Sequence, residues 1–184
     1  MTRKQKMHDP NMLYAVTLGV VFGIPIFFKS IYSNIVVDSL RFCQQNKKLE
    51  IFAYCLMPDH LHMVFRTGEG VHPSDFLRDM KKFTSSQIVH CIERNSMERR
   101  KDWLLNLFAL AGNTNSKNKV YQFWQQHNHP VILDRNEIID RQVNYIHQNP
   151  VKAGFVHQAH HWLHSSAGNY YNGDGILQVK LLLL

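Results

Sequence analysis

Two apolar runs, Leu49–Leu56 and His60–Phe65, are separated only by Met57, Pro58 and Asp59. A three-residue connection with proline presetting its dihedral must reverse the chain, so the runs are expected to form a hairpin in the middle of a sheet. Leu13–Val20, rich in apolar and β-branched residues, reads as another buried strand, broken by Gly19, Gly23 and Pro25 ahead of Ile26–Phe28. A helix fits Ile31–Gln45. A longer one fits Phe76–Asn95, where Phe76, Met80, Phe83, Gln87 and Cys91 recur at three- and four-residue steps behind the capping residues Ser74 and Asp75. This helix would cover one face of the sheet.

Further along, Glu98–Ala111 carries Trp103, Leu104, Leu107 and Phe108 at helical spacing, and the polar loop Gly112–Lys119 follows. Tyr121–Gln125 and Val131–Leu133 are expected to pair as strands around a His127–Pro130 turn. The last clear helix spans Asn136–Gln148 and should stop there, because Asn149 precedes Pro150 and is pushed out of the α region. Strands and helices mix without strict alternation, which predicts an α+β fold with an antiparallel sheet.

With 184 residues, 45% of them hydrophobic and 19% charged, the chain suits one globular domain and excludes disordered and collagen-like classes. The expected division is a basic tail 1–11, a single domain 12–171 and a C-terminal tail 172–184. The leucines of Ile176–Leu184 leave three options open: an added strand, a contact with a second copy, or disorder. The apolar stretch Tyr14–Phe28 is interrupted by Thr17, two glycines and Pro25, and is shorter than the roughly 20 residues of a spanning helix. Met1–Met7 leads into no small-residue cleavage site, so a cytoplasmic protein without a membrane anchor is expected. Cys43, Cys55 and Cys91 are odd in number and widely spaced, which offers neither a disulfide framework nor a zinc ribbon. Lysine and arginine total 21 against 14 acidic residues, a net charge of +7, with twelve histidines besides. A polyanionic partner fits that balance.

Two features carry chemistry. On a strand, His60 and His62 point to the same face and can share one divalent cation. With twelve histidines, however, about one such pair is expected by chance, and the residues alone leave open a ligand pair or a satisfied core pair. The second pair, His127 and His129, lies in a polar turn and reads as solvated. The other feature is Tyr145. On the last helix Ile139, Val143 and Ile146 form the core stripe, and Tyr145 lies about 160° from Val143, in the company of Arg141, Gln148 and Asn149. A tyrosine at a helix edge is commonly amphipathic packing. A phenol, with an ordinary pKa of about 10, needs a cation or base beside it to act as a nucleophile. Asn149, one turn on, offers an amide oxygen as a hard ligand.

Taken together, MPDHLHMVF (Met57–Phe65), FWQQHNHPVILDR (Phe123–Arg135), YIHQNPVKAG (Tyr145–Gly154) and WLHSSAGNY (Trp162–Tyr170) resemble the REP-associated tyrosine transposases, within the single-tyrosine HUH transposases of the insertion-sequence type. The resemblance spans about Leu13 to Tyr170 with the motifs in order. It implies a ferredoxin-like antiparallel sheet with helices on one face, the histidine pair on a central strand and the nucleophile on a C-terminal helix. It also implies that His60, His62 and Asn149 bind a divalent metal, Mg²⁺ or Mn²⁺, and that Tyr145 attacks DNA. The implied substrate is single-stranded or hairpin DNA of the REP type, cleaved and rejoined through a 5′-phosphotyrosine. A homodimer, with the tyrosine serving either subunit, is compatible with the resemblance. Lys152, beside the last helix in NPVKAG, and Arg78, Lys81 and Lys82 on the long helix are the candidate phosphate contacts. Arg94, Arg99, Arg100, Lys101, Lys117 and Lys119 extend the basic set. The tail motif, with Trp162, Ser165, Ser166 and Tyr170, is open to base stacking or recognition but reads chiefly as packing. Two other functions fit the same residues: a non-enzymatic nucleic-acid-binding module descended from such an enzyme, and a phosphoesterase that uses the two histidines with water.

Overall fold

The computed structural model describes residues 7–114 and 120–182. The strands are β1 (Leu13–Gly19), β2 (Leu49–Leu56), β3 (His60–Thr67) and β4 (Val131–Leu133). The helices are α1 (Ser30–Asn46), α2 (Pro73–Arg94), α3 (Lys101–Asn113), α4 (Asn136–Lys152) and the short α5 (Ala167–Asn172). Every strand pairing is antiparallel and the sheet order is β2-β3-β1-β4, the ferredoxin-like arrangement with β3 and β1 in the centre. The α+β expectation is met. Among the described residues no helix is long and apolar enough to cross a membrane. Lys117, Lys119, most of the basic N-terminal tail and the last two leucines lie outside the described residues.

The pleat divides the core in two. Along β3, Leu61, Met63 and Phe65 pack with the apolar faces of α1 and α2, including Tyr32, Val36, Leu40, Phe76, Leu77 and Met80. Val64 points the other way and packs with Val143 and Ile146 of α4, together with Ala15, Ala53 and Cys55 from the neighbouring strands. Helices therefore cover both faces, where one covered face was expected. The amphipathic stripe of α4 needs an apolar surface, and the second face of a sheet whose central strands are apolar on both sides supplies it.

Three boundaries also differ from expectation. Helix α2 begins at Pro73 behind His72 rather than at a Ser74 or Asp75 cap, because proline suits a first helical position whose N–H has no partner anyway. Tyr121–Gln125 does not pair with Val131–Leu133. Both segments instead meet β1 and its continuation: Trp124 bridges to Val20 and the Gln125 N–H donates to the Gly19 carbonyl at 2.8 Å, while Leu133 pairs with Leu13. Burial of Phe123 and Trp124 against Phe27 draws the first segment inward, and residues 126–130 arch between the two attachments. Third, α4 continues through Asn149 and Pro150 to Lys152. Pro150 is buried, and its missing N–H falls in the last turn, where packing outweighs one lost bond.

The chain beyond α4 runs along the outer edge of β2. Trp162 Nε1 donates to the Leu56 carbonyl at 3.0 Å, the Ser166 N–H to the Tyr54 carbonyl at 2.9 Å, and the Tyr170 hydroxyl to the Phe52 carbonyl at 2.9 Å. The packing role expected for the tail motif is thus observed. Residues 176–182 continue the cover: Leu177 is buried and the Lys180 N–H donates to the Ile51 carbonyl at 2.9 Å. An edge strand that would otherwise offer its unpaired backbone is closed by the chain's own C-terminal part.

One buried carboxylate ties the helical layer together. Glu98 accepts from Lys29 Nζ at 2.6 Å, the Tyr32 hydroxyl at 2.8 Å and the Arg100 N–H at 3.1 Å. Its burial opposes ionisation, yet Lys29, Tyr32 and the Arg100 amide hold its pKa down to about 2. Glu98→Gln should lower the unfolding free energy by about 1–3 kcal/mol, read as a reduced urea midpoint at pH 7; an unchanged midpoint would show that the cluster contributes nothing.

Candidate active site

Strand register builds the site. Thr17 of β1 lies directly opposite His62 of β3, and Gly19 lies opposite His60. All four belong to the sheet face that α4 covers. His60 and His62 stand two residues apart on that face with their Nε2 atoms 3.0 Å from each other. Each ring's other nitrogen is held: His60 Nδ1 lies 2.6 Å from Asp59 Oδ1, and His62 Nδ1 lies 2.8 Å from Thr17 Oγ1. An oxygen partner at Nδ1 orients an imidazole and directs Nε2 outward, the arrangement expected of a metal-binding histidine.

Helix α4 brings the rest. The Tyr145 ring meets the His62 ring edge-on at 5.4 Å, and Asn149, one turn later, places its amide 3.1 Å from His62 Nε2. As placed, Nδ2 faces the histidine; a half-turn of the amide presents Oδ1 instead. Tyr145 is 44% exposed and opens onto a cavity of about 390 Å³. His60, His62, Tyr145 and Asn149 all line this cavity, which is completed by Thr17, Gly19, Gly23, Asp59, Gln125 and His129. Lys152 sits with Nζ 5.7 Å from the centre of the Tyr145 ring. The helix extension through Pro150 is what keeps Tyr145, Asn149 and Lys152 on one rigid element.

The donor set fits a divalent cation. Two imidazole nitrogens and an amide, 3.0 and 3.1 Å apart, have the spacing of neighbouring ligands around an ion with bonds of about 2.1 Å. None of the three side chains can carry a negative charge, so a cation here would keep its full charge for a phosphate and retain open positions. No group of three or more His, Cys, Asp or Glu side chains clusters for metal binding among the described residues. Any affinity would therefore rest on this lean set and on the substrate's own oxygens. Burial, followed by the neighbouring His60, lowers the His62 pKa to about 4, so its lone pair is not lost to a proton at neutral pH.

The basic residues divide. Lys152 and Lys82 are exposed, but the charges of Arg78 and Lys81 are already engaged. Arg78 pairs with Asp75 at 2.6 Å and Asp79 at 3.0 Å. Lys81 Nζ donates to the Gln125 carbonyl and Asn128 Oδ1, both at 2.6 Å, and burial lowers its pKa to about 8. Lys81 thus braces the 126–130 arch, which carries His129 to the cavity wall. The solvated character expected of His127 and His129 is observed in their exposure, but the cavity role of His129 was not foreseen. Nor were those of Thr17, Gly19, Asp59 and Gln125. Gly19 carried a usable signal, because glycine inside a strand often marks a close approach: a Cβ there would lie 3.0 Å from the Gln125 side chain.

Behind Tyr145, α4 turns His147 inward, where its Nε2 lies 2.8 Å from Ser166 Oγ and burial lowers its pKa to about 4. His62 and His147 stay neutral in the fold, whereas in an unfolded chain both would protonate below about pH 6.5. The unfolded state then holds more protons, so stability falls as pH drops from about 6.5 to about 4. Each histidine should contribute up to about 1.4 kcal/mol per pH unit across that window. Urea unfolding at pH 7 and pH 5 without added metal should show the loss; equal midpoints would contradict it.

Comparison with known proteins bears on this geometry. The family model described as "Transposase IS200 like" matches residues 24–110, a stretch that includes the histidine pair and ends before α4. No curated protein matches the chain. Among solved structures, a REP-associated tyrosine transposase bound to a REP hairpin superposes with a TM-score of 0.67 at 17% identity, covering 98% of this chain and 92% of that one. A candidate transposase from Deinococcus radiodurans R1 aligns at 16% identity over 79% of this chain and 95% of that one, with a TM-score of 0.46, too low to bear on the fold. The chain thus matches the IS200-like transposase family over residues 24–110 and shares its fold with a REP-associated tyrosine transposase, as the four sequence motifs led one to expect.

Proposed function

We propose that the protein is a metal-dependent single-stranded DNA endonuclease and strand transferase that acts on REP-type hairpins through a covalent 5′-phosphotyrosine. The observation that carries this reading is the convergence of His60, His62, Asn149 and Tyr145 on one open cavity. The similar structure's bound REP hairpin supports DNA of that kind as the substrate, and the +7 charge suits a polyanion. A single domain of residues 12–171 would carry the reaction, in a cytoplasmic protein.

His60, His62 and Asn149 would hold Mg²⁺ or Mn²⁺. Mg²⁺ favours oxygen-rich sites, and a site with two imidazoles also suits Mn²⁺. When bound, such an ion draws charge from a non-bridging phosphate oxygen and helps to orient the phosphorus. Asp59 and Thr17 keep the two imidazoles turned inward. The Tyr145 oxygen attacks the phosphorus in line and gives its proton to solvent water in the open cavity, and the bond from phosphorus to the 3′-oxygen breaks. That oxygen leaves as a 3′-hydroxyl once it has gained a proton, and the 5′-phosphate remains on Tyr145. Lys152, close above the tyrosine ring, offsets the charge that develops on the phosphate. Because one phosphodiester replaces another, a 3′-hydroxyl can later attack the phosphotyrosine, rejoin DNA and release Tyr145 without a nucleotide cofactor. The Tyr145 ring lies 5.4 Å from the His62 ring of the same chain, which supports a tyrosine that serves its own subunit.

A labelled REP-type hairpin oligonucleotide incubated with the protein and Mg²⁺ or Mn²⁺ should yield a covalent adduct that resists denaturation. Tyr145→Phe should reduce it to background, and equal adduct in that variant would overturn the assignment. Hairpin binding without cleavage by the wild-type protein, with metal bound, would favour a binding module instead. Thr17→Val, which leaves His62 Nδ1 without its oxygen partner, should raise the Mn²⁺ concentration for half-maximal adduct by about 10- to 100-fold; an unchanged requirement would remove Thr17 from the ligand-orienting set.

A further inference from the structure

At the Met57–Asp59 turn, beside the cavity, two large aromatic rings are left in solvent. Phe28 is 62% exposed and Phe155 43% exposed. Their rings meet edge to face with centroids 5.7 Å apart. Neither is a loose side chain on a loose loop. The Phe27 N–H donates to the Pro58 carbonyl at 2.9 Å, which ties the backbone next to Phe28 to the turn that leads into His60. The Phe155 N–H donates to the Pro150 carbonyl at 2.9 Å, and Gly154 takes the left-handed conformation, φ 77°, that makes this turn at the end of α4. Trp162 backs Phe155 as a stacked ring at 5.4 Å and is itself pinned by its bond to the Leu56 carbonyl.

Exposed rings held in place by their backbone suit a ligand with a flat π surface. The two backbone segments that hold them also hold the site: the turn continues into Asp59 and His60, and α4 carries Tyr145, Asn149 and Lys152 just before Phe155. A base and its phosphate could therefore be engaged together, the base by the rings and the phosphate by Lys152 and the cavity. Two rings are also far too little for a stable protein contact, which takes about 800 Å² from each partner. We propose that Phe28 and Phe155, with Trp162 behind, form a base-stacking platform for an unpaired nucleobase next to the phosphate that Tyr145 attacks. The platform rests on the DNA-processing reading above and adds a subsite to it. Stacking of this kind is tolerant of base identity, because every base offers a π face.

The test compares two probes of equal length and backbone: a fluorescein-labelled 15-mer of deoxythymidine and the same strand made abasic. Tyr145→Phe protein serves as the parent, so that no cleavage intervenes. The parent should bind the thymidine strand more tightly. Replacing both Phe28 and Phe155 by Leu, which keeps apolar volume and removes the π faces, should weaken thymidine binding about tenfold and leave abasic binding unchanged. Phe155→Tyr should bind as the parent does. Equal thymidine affinity in the Leu variant, or an equal loss on both strands, would overturn the platform while the DNA reading stands. Failure of the parent to bind either strand would strike at the DNA reading itself. A parent that sediments as a dimer, with a monomeric Leu variant, would make the rings a protein contact and also overturn the platform. Matching thermal unfolding of parent and variants checks that the fold is kept.

Discussion

The antiparallel register between β1 and β3 is the constraint on which the site depends. It sets Thr17 opposite His62 and Gly19 opposite His60, and by doing so it gives one imidazole an oxygen partner and leaves room opposite the other for the Gln125 side chain. A slip of one residue would turn both histidines toward α1 and α2 and bring Leu61 and Met63 to the site. Such a slip is strongly disfavoured, because Leu61, Met63 and Phe65 belong to the larger core and are all fully buried. The apolar half of β3 therefore enforces the position of its polar half. Stability and chemistry share one strand, divided by the pleat.

On the polar face, α4 serves a double purpose. Val143 and Ile146 press it onto the sheet, and the same packing presents Tyr145 and Asn149 to His62. The second anchor is unusual in being polar: His147 reaches Ser166, whose backbone and hydroxyl are bonded to Tyr54 of β2. The chain that closes the β2 edge thereby also steadies the helix that carries the tyrosine. Edge protection and site geometry become one piece of architecture.

Much of this was legible in the residues. The hairpin is forced by the spacing of Met57–Asp59, and the helical wheel of α4 placed Tyr145 away from Val143 with polar neighbours, as observed. What escaped was set by contacts distant in sequence. Nothing near Pro150 announces that burial will carry a helix through it, and the local rule for the residue before proline points the other way. Phe123 and Trp124 drew their segment to the end of β1, a choice governed by Phe27 about a hundred residues earlier. The partners of Arg78, Asp75 and Asp79, stand beside it in sequence and are legible there, whereas Gln125 and Asn128 meet Lys81 only after folding. Glycine inside a strand suggests a break, yet at Gly19 the missing side chain makes room for Gln125.

Tyr145, Asn149 and Lys152 occupy a single uninterrupted helix, so none can be repositioned without carrying the others along. A shift of that helix against the sheet would carry phenol, amide and ammonium together and leave the histidines in place on β3. The geometry of those three groups is accordingly set as one part rather than as three separately adjustable ones. The His147–Ser166 bond grips that part between Tyr145 and Asn149, so the chain along the β2 edge helps to fix all three.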